Sequence, residues 1–147
     1  MTSWEQLNTE GIVVLENSSK QEIVALRKMA ARDLQDASAV NISADARFAM
    51  AYSAARAATT IILRANGYRV KSGDGNHHLT FRAVESAEPT FAAHVMYFDR
   101  CRRKRNDIFY HSADVVSVTA AEELIAEASR FLLAVERWLK DHHAQLY

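Results

Sequence analysis

The chain has 147 residues, of which 49% are hydrophobic, and its 18 basic and 18 acidic residues give no formal net charge. This size and composition fit one folded domain with its own core and exclude a disordered chain. Zero net charge excludes a global attraction to nucleic acid or to an anionic membrane, so any such attraction has to be local. The single cysteine, Cys101, excludes an internal disulfide and a zinc site made of cysteines alone.

Few helix-breaking residues interrupt the chain. One proline and four glycines, together with abundant alanine, favour an all-α domain. Residues 1–17 predict a short helix and then a connector that packs on the rest of a single domain covering residues 1–147. This start lacks the basic and apolar stretches of a signal peptide, and no apolar run approaches the ~20 residues needed to cross a bilayer. With the lone cysteine, these features lead us to expect a cytoplasmic protein without membrane partners.

The first two long helices carry local start and stop signals. Ser19, with Glu22 three residues later, predicts a capping box before the first helix. Ser43 is the expected N-cap of the second, alanine-rich helix, and Asn66-Gly67 predicts its end, because glycine adopts the left-handed turn at little cost. Apolar residues at helical spacing form the expected inner stripe of this second helix: Phe48, Ala51, Tyr52, Ala55, Ala58 and Ile62.

The second half of the chain predicts two further helices that are joined to a short one. Residues 70–78 form the clearest loop, and the stretch LTFRAVESA predicts a short helix that ends before Pro89. A long helix follows from Thr90. Thr119, with Glu122, predicts a second capping box at the start of the last and most amphipathic helix. Short connections between these elements predict an antiparallel bundle of about five helices.

Two adjacent histidines, His77 and His78, end the predicted loop. Neighbouring residues make a poor metal chelate without further ligands, and no carboxylate–histidine spacing typical of a metal site stands out. We interpret them as loop residues, with His78 near a helix start, and expect neither a metal nor a cofactor. Aromatic residues make up an ordinary 9% and do not interleave with the cations along the sequence, which argues against a stacking channel for single-stranded nucleic acid.

The most unusual stretch is RKRNDIFYH, residues 103–111, at the end of the penultimate long helix. From Arg100 to Arg105 the chain reads RCRRKR, which is five cations in six residues. Successive helical residues point about 100° apart, so these cations cannot share one face, and a helix C-terminus favours cations in any case. Arg105 differs because it lies seven residues after Phe98 and fourteen after Phe91, on the apolar side. A cation there needs a partner or a function.

Arg105, Asn106 and His111 carry the groups needed to cleave RNA through its own 2′-hydroxyl. A guanidinium matches phosphate oxygens, an amide can orient it, and an imidazole transfers protons near neutral pH. In an unbroken helix His111 points about 120° away from Arg105, so convergence requires the helix to break or tighten near Tyr110. Four nearby side chains are the expected substrate-binding residues: Arg102, Arg103, Lys104 and Tyr110.

An arginine, a polar residue that is often asparagine, and a histidine four to six residues after the arginine resemble the motif of HEPN domains, which are small helical bundles. The order of elements over residues 19–140 is similar too: an alanine-rich helix with ARFAMAYSAARAA, a loop, the motif helix and a final amphipathic helix. The resemblance implies a metal-independent endoribonuclease, such as a toxin or a phage-defence effector. It also implies a homodimer with two arginine–histidine sets in one cleft, RNA as substrate, and a cognate antitoxin or nucleotidyltransferase as partner.

By that resemblance, Arg105 stabilises the charge on a phosphorane-like transition state, Asn106 positions the site, and His111 transfers a proton. The sequence departs from the commonest spacing, in which the histidine follows the arginine by five residues; that position is Tyr110 here. The alternative is therefore a non-catalytic HEPN-like module that binds a protein partner, a nucleotide or RNA, and in which Arg105 holds the bundle together. The sequence leaves both interpretations open.

Overall fold

Helices account for nearly all of the regular structure. The computed structural model describes residues 2–71, 77–110 and 113–147. The elements in chain order are α1 (Trp4–Thr9), β1 (Val13–Leu15), α2 (Lys20–Ala37), α3 (Ala44–Ala65), β2 (Tyr68–Val70), α4 (His77–Ala87), α5 (Ala92–Tyr110) and α6 (Val118–His142), with short 3-10 helices at Pro89–Phe91 and Ala144–Leu146. The predicted all-α, helical-bundle fold is confirmed, with six α-helices in the described residues and one small sheet.

The central element is α3, which packs against α2, α4, α5 and α6. The Ser43 hydroxyl accepts a hydrogen bond from the Ala46 amide at 3.1 Å and starts the helix as predicted. The helix ends at Asn66, and Gly67 follows with a φ of +85°, which confirms the predicted stop. Alanine occupies many positions along α3, so the neighbouring helices approach its backbone closely. The predicted inner stripe is confirmed, since all six of its residues are buried.

A two-stranded antiparallel sheet stands where the sequence predicted a connector and a loop. Val13 pairs with Val70, and Leu15 pairs with Tyr68. The two strands are three residues long and lie about 55 residues apart in the chain, so neither gave a local signal of its own. The prediction that residues 70–78 form only a loop is therefore wrong at Val70, which ends β2, and at His77 and His78, which begin α4.

The predicted capping box at α2 forms only in part. The Ser19 hydroxyl accepts the Glu22 amide hydrogen at 3.1 Å, as expected for an N-cap. The Glu22 carboxylate, however, accepts hydrogen bonds from Arg64 at the far end of α3, at 2.6 and 3.1 Å. A tertiary ion pair has replaced the local bond that the sequence pattern predicted.

The second predicted capping box, Thr119 with Glu122, is wrong. Helix α6 begins at Val118, and its N-cap is Ser117, whose hydroxyl accepts the Ala120 amide hydrogen at 3.0 Å. The reason lies in α3, where Asp45 accepts the amide hydrogens of Val115 and Val116 at 3.3 and 2.9 Å. These two bonds fix the chain directly before Ser117, so the helix begins two residues earlier than the local pattern indicated.

Arg64 joins the end of α3 to the start of the chain. Besides its ion pair with Glu22, its guanidinium donates to the backbone carbonyls of Glu16 at 2.9 Å, Asn17 at 3.2 Å and Tyr68 at 2.9 Å. The hydrogen bond and the negative charge of Glu22 raise the pKa of Arg64 above its ordinary value, against the effect of burial. This arginine therefore fixes α2, the segment after β1, and β2 on one end of α3.

No helix in the described ranges combines the length and the apolar composition that a membrane-spanning helix needs.

Candidate functional site

Helix α5 presents its cations to two different sides of the bundle. Val95, Phe98 and Cys101 are buried and define its inward face. Arg102 and Arg105 are half-buried and lie beside that face, towards α3 and α4. The other side of α5 forms a groove with α6 of about 320 Å³, lined by Phe48, Tyr97, Arg100, Cys101, Arg103, Lys104, Asp107, Ala120 and Glu123. The five cations thus divide between two surfaces, as the angular spacing of a helix requires.

Arg105 lies between two aromatic rings. Its guanidinium carbon is 4.4 Å from the centroid of the Phe109 ring and 5.7 Å from that of the Tyr52 ring. Its guanidinium donates to Asn106 Oδ1 at 3.5 Å, which is long for a hydrogen bond. Within the described part of the chain, no carboxylate forms an ion pair with Arg105. Its fork of donors therefore keeps most of its capacity for a ligand.

Beneath Arg105, a tyrosine and a histidine form a hydrogen-bonded pair. The Tyr52 hydroxyl lies 3.0 Å from Nδ1 of His77, at the first turn of α4. Burial raises the pKa of Tyr52 well above its ordinary value, despite the nearby positive charges of Arg105, Arg56 and Arg102. Burial and the charges of the same three arginines lower the pKa of His77 to about 4. Both partners are therefore uncharged at neutral pH.

The side chains around Arg105 form one cluster: Tyr52, Arg56, His77, Arg102 and Arg105. A second histidine pairs with a carboxylate at the edge of this cluster. Nδ1 of His78 lies 3.1 and 3.2 Å from the two oxygens of Asp99, and Nε of Arg102 donates to Asp99 at 3.1 Å. Burial raises the pKa of Asp99, but the hydrogen bonds from His78 and Arg102 and the charges of both outweigh that effect and lower it below its usual value. Asp99 therefore offsets part of the charge of Arg102, whereas no carboxylate among the described residues pairs with Arg105.

The residues predicted from the motif separate into three groups. Arg105 and Asn106 are neighbours, and Arg102 lies on the same side of α5. Arg103 and Lys104 are exposed and line the groove towards α6. Tyr110 is the last residue of α5 and is 73% exposed. His111 lies outside the described residues, so its predicted convergence with Arg105 stays a prediction.

The sequence interpretation missed the partners that other helices contribute to this cluster. Tyr52 and Arg56 come from α3, where they are four residues apart and hence share a face. His77 and His78 were interpreted as loop residues, yet both begin α4 and contact side chains of α3 and α5. Cations and aromatics do not interleave along the sequence, but in the folded protein two rings flank the Arg105 guanidinium. The one available signal was an arginine and a tyrosine at helical spacing in an otherwise alanine-rich stripe.

In the described ranges, no group of three or more histidine, cysteine, aspartate or glutamate side chains is placed to hold a metal ion.

Comparison with known proteins gives a match at the level of the family. The family described as SAV_6107-like HEPN matches residues 37–136, from the last residue of α2 into α6. This range covers well over half of the chain and includes α3, α4 and α5, and thus every residue of the cluster. Searches of curated proteins and of solved structures returned no significant match. The sequence, the helical architecture and this match together show that the chain belongs to the HEPN family.

Proposed function

We propose that the protein is a metal-independent endoribonuclease that cleaves RNA by attack of its own 2′-hydroxyl. The observation that carries the proposal is the environment of Arg105. This half-buried guanidinium belongs to the arginine–asparagine motif, and it has no carboxylate partner in the described part of the chain. A cation in that position needs an anion, and the phosphodiester of RNA matches the fork of the guanidinium.

In the proposed reaction the 2′-oxygen attacks the adjacent phosphorus, a 2′-O–P bond forms, and the P–O5′ bond breaks. One group accepts the proton of the 2′-hydroxyl, and another group donates a proton to the leaving 5′-oxygen. Arg105 stabilises the negative charge that develops on the phosphoryl oxygens, and Asn106 positions the guanidinium. We assign one of the two proton transfers to His111, because an imidazole exchanges protons near neutral pH. The products are a 2′,3′-cyclic phosphate and a 5′-hydroxyl.

The remaining motif residues contribute to binding in this proposal. Arg102 lies near Arg105 and attracts the same phosphate, while Arg103 and Lys104 attract the flanking backbone from the other side of α5. Tyr110 has an exposed ring at the C-terminal end of α5, on which a base can stack. Family resemblance further suggests a homodimer through α5, with two arginine–histidine sets in one cleft, and a cognate antitoxin or nucleotidyltransferase as partner.

The test is cleavage of RNA by the purified protein with and without a chelator. We expect cleavage in both conditions and a 2′,3′-cyclic phosphate at the new 3′ end. Arg105→Ala and His111→Ala should each reduce the rate by at least about a hundredfold while the far-ultraviolet circular dichroism spectrum stays unchanged. Arg130→Ala is the matched control, because Arg130 is an exposed arginine on α6, outside the motif helix, and pairs with Glu127. Cleavage at the wild-type rate by both motif variants would contradict the proposed mechanism.

The second candidate is a non-catalytic module that binds RNA, a nucleotide or a protein partner. The residue at the commonest position of the catalytic histidine, Tyr110, favours it. This candidate predicts that RNA binds without being cut, and that its affinity falls steeply as salt concentration rises. Anisotropy titration of a labelled RNA at several salt concentrations, followed by electrophoresis of the same samples, separates the two candidates.

A further inference from the structure

We infer that Arg56, His77, Arg102 and Arg105 form one phosphate-binding site, in which the Tyr52 hydroxyl holds His77 so that its Nε2–H donates to a phosphate oxygen. The ligand that we assign to this site is a phosphodiester of single-stranded RNA, and this part of the inference rests on the proposed function. The site is built from three helices, α3, α4 and α5. It gives roles to Tyr52, Arg56 and His77, which lie outside the arginine–histidine motif.

The first step of the argument concerns the proton of the Tyr52 hydroxyl. Tyr52 is only 1% exposed, and a buried hydroxyl needs an acceptor for its hydrogen. Nδ1 of His77, at 3.0 Å, is the acceptor that the described residues provide. A neutral imidazole that accepts at Nδ1 carries its own proton at Nε2. Tyr52 therefore selects the tautomer of His77 that presents an N–H donor.

The second step concerns the balance of donors and acceptors in the cluster. Three guanidinium groups and the Nε2–H of His77 all donate hydrogen bonds. The nearby carboxylate, Asp99, already accepts from His78 and Arg102. Among the residues that the structure describes, neither Arg56 nor Arg105 forms an ion pair. Because unpaired, partly desolvated cations are unfavourable, an anion that accepts several hydrogen bonds would stabilise the cluster, and phosphate is such an anion.

The third step concerns the choice of RNA as the source of the phosphate. Phe109 is 58% exposed, and its ring lies over the Arg105 guanidinium at 4.4 Å. An exposed aromatic ring beside a phosphate-binding arginine provides a stacking surface for a base that is attached to the bound phosphate. Proteins recognise single-stranded RNA by this combination of stacking and backbone contact. Inorganic phosphate shares the chemistry of the anion but has no base to place on Phe109.

Binding of an anion should also change the protonation of His77. The groups that face it are Tyr52 and Arg56 from α3, and Arg102 and Arg105 from α5, and the arginine charges hold its pKa low, at about 4. A bound phosphate offsets those charges, so the pKa of His77 has to rise when the site is filled. By linkage, the affinity for phosphate should then increase as the pH falls towards the pKa of the complex.

The first experiment follows the imidazole of His77 directly, by nuclear magnetic resonance of ¹⁵N-labelled wild-type protein. We expect the Nε2–H tautomer in the free protein, and a pKa that rises by at least about one unit with a saturating 2′-O-methyl RNA oligonucleotide, which cannot be cleaved. Tyr52→Phe should remove the tautomer preference. An unchanged pKa with bound oligonucleotide, or an Nδ1–H tautomer in the free protein, would overturn the inference. A response to inorganic phosphate but not to the oligonucleotide would overturn the assignment to RNA.

The second experiment measures the affinity of the same oligonucleotide for variants. Arg56→Gln and His77→Gln should each weaken binding about tenfold or more, because the first removes a positive charge and the second removes the imidazole donor that Tyr52 holds in place. Arg130→Gln serves as the control and should bind like the wild type. Wild-type affinity in both site variants would overturn the inference, and so would cleavage of RNA at the wild-type rate by both. That last result would leave the proposed endoribonuclease intact, whereas tight binding without cleavage would support this site and contradict the proposed function.

Discussion

Replacing Arg64 with alanine should lower the free energy of unfolding by about 3–5 kcal/mol, because several buried or partly buried acceptors lose their hydrogen-bond donor. Arg64 is 7% exposed, and its guanidinium donates to the Glu22 carboxylate and to three backbone carbonyls. The change leaves these acceptors without their donor. The magnitude then depends on which of them water can reach after the change.

The carboxylate of Glu22 is 38% exposed, so water replaces part of what Arg64 supplied there. The carbonyl of Tyr68 is in a buried hydrogen bond, and an unsatisfied buried acceptor costs about 1–3 kcal/mol. The carbonyls of Glu16 and Asn17 are partly buried and add smaller amounts. The estimate of about 3–5 kcal/mol agrees with the sum of these effects, which are one unsatisfied carbonyl, two partly unsatisfied carbonyls and the loss of an ion pair.

The chain offers a matched control for this prediction. Arg64 and Arg69 both pair with the carboxylate of Glu16, at 3.3 and 3.4 Å, but the side chain of Arg69 is 44% exposed. Exposed ion pairs contribute about 0–1 kcal/mol, so Arg69→Ala should have little effect. Urea denaturation, monitored by circular dichroism, gives both free energies of unfolding. If the dependence of this free energy on urea concentration is the same in the wild type and the variants, the unfolded state is unchanged. If Arg64→Ala destabilises the fold no more than Arg69→Ala does, the inference that Arg64 fixes α2 and β2 on the end of α3 is refuted.

Three further predictions concern stability. Arg105→Ala should lower the free energy of unfolding by about 1 kcal/mol or less, because it loses only ring contacts and a long hydrogen bond; a loss as large as that expected for Arg64 would instead support a scaffold role. Asp45→Ala should cost about 2–3 kcal/mol, since one buried and one partly buried amide lose a charged acceptor, and Asp45→Asn should cost less, which thermal unfolding can check. The pKa of His77 is about 4 in the folded protein and 6.5 ordinarily, so the fold accommodates the neutral imidazole better than the charged one. The contribution of His77 to stability is therefore fully present above pH 6.5 and is lost as the pH falls towards 4. We expect the free energy of unfolding to fall by a value on the order of 1–2 kcal/mol as the pH falls from about 6.5 to 4, because solvent screens part of the effect at this partly exposed side chain. The loss should be smaller in His77→Gln, and an equal loss in that variant would contradict this prediction.

The parts of the fold that sequence could predict are those with short-range causes. Ser43, the apolar stripe of α3 and Gly67 each act within a few residues, and each is found as predicted. The start of α6 shows the limit of such signals. Both Ser117 and Thr119 are good N-cap residues, and the choice between them is made by Asp45, which lies about 70 residues away in the chain. A local pattern contains no information on that contact.

The candidate site was predicted only along α5 for the same reason. The arginine–asparagine motif lies in consecutive residues, so its spacing is visible in the sequence. Tyr52, Arg56 and His77 come from α3 and α4, and they meet Arg105 only because those helices pack together. The paired histidines at the start of α4 gave an ambiguous signal, because two neighbours on a helix point about 100° apart and so contact different partners. His77 contacts Tyr52, and His78 contacts Asp99.

The two inward-facing arginines, Arg64 and Arg105, bear on the choice between an active protein and a scaffold. A scaffold role for Arg105 requires that its guanidinium be saturated by carboxylates or carbonyls of the bundle. Arg64 meets that condition, with an ion pair to Glu22 and three backbone acceptors. Arg105 has one long hydrogen bond to Asn106 and two flanking rings, within the ranges that the structure describes. The contrast with Arg64 therefore supports the proposal that the donors of Arg105 bind a ligand, and it argues against a scaffold role.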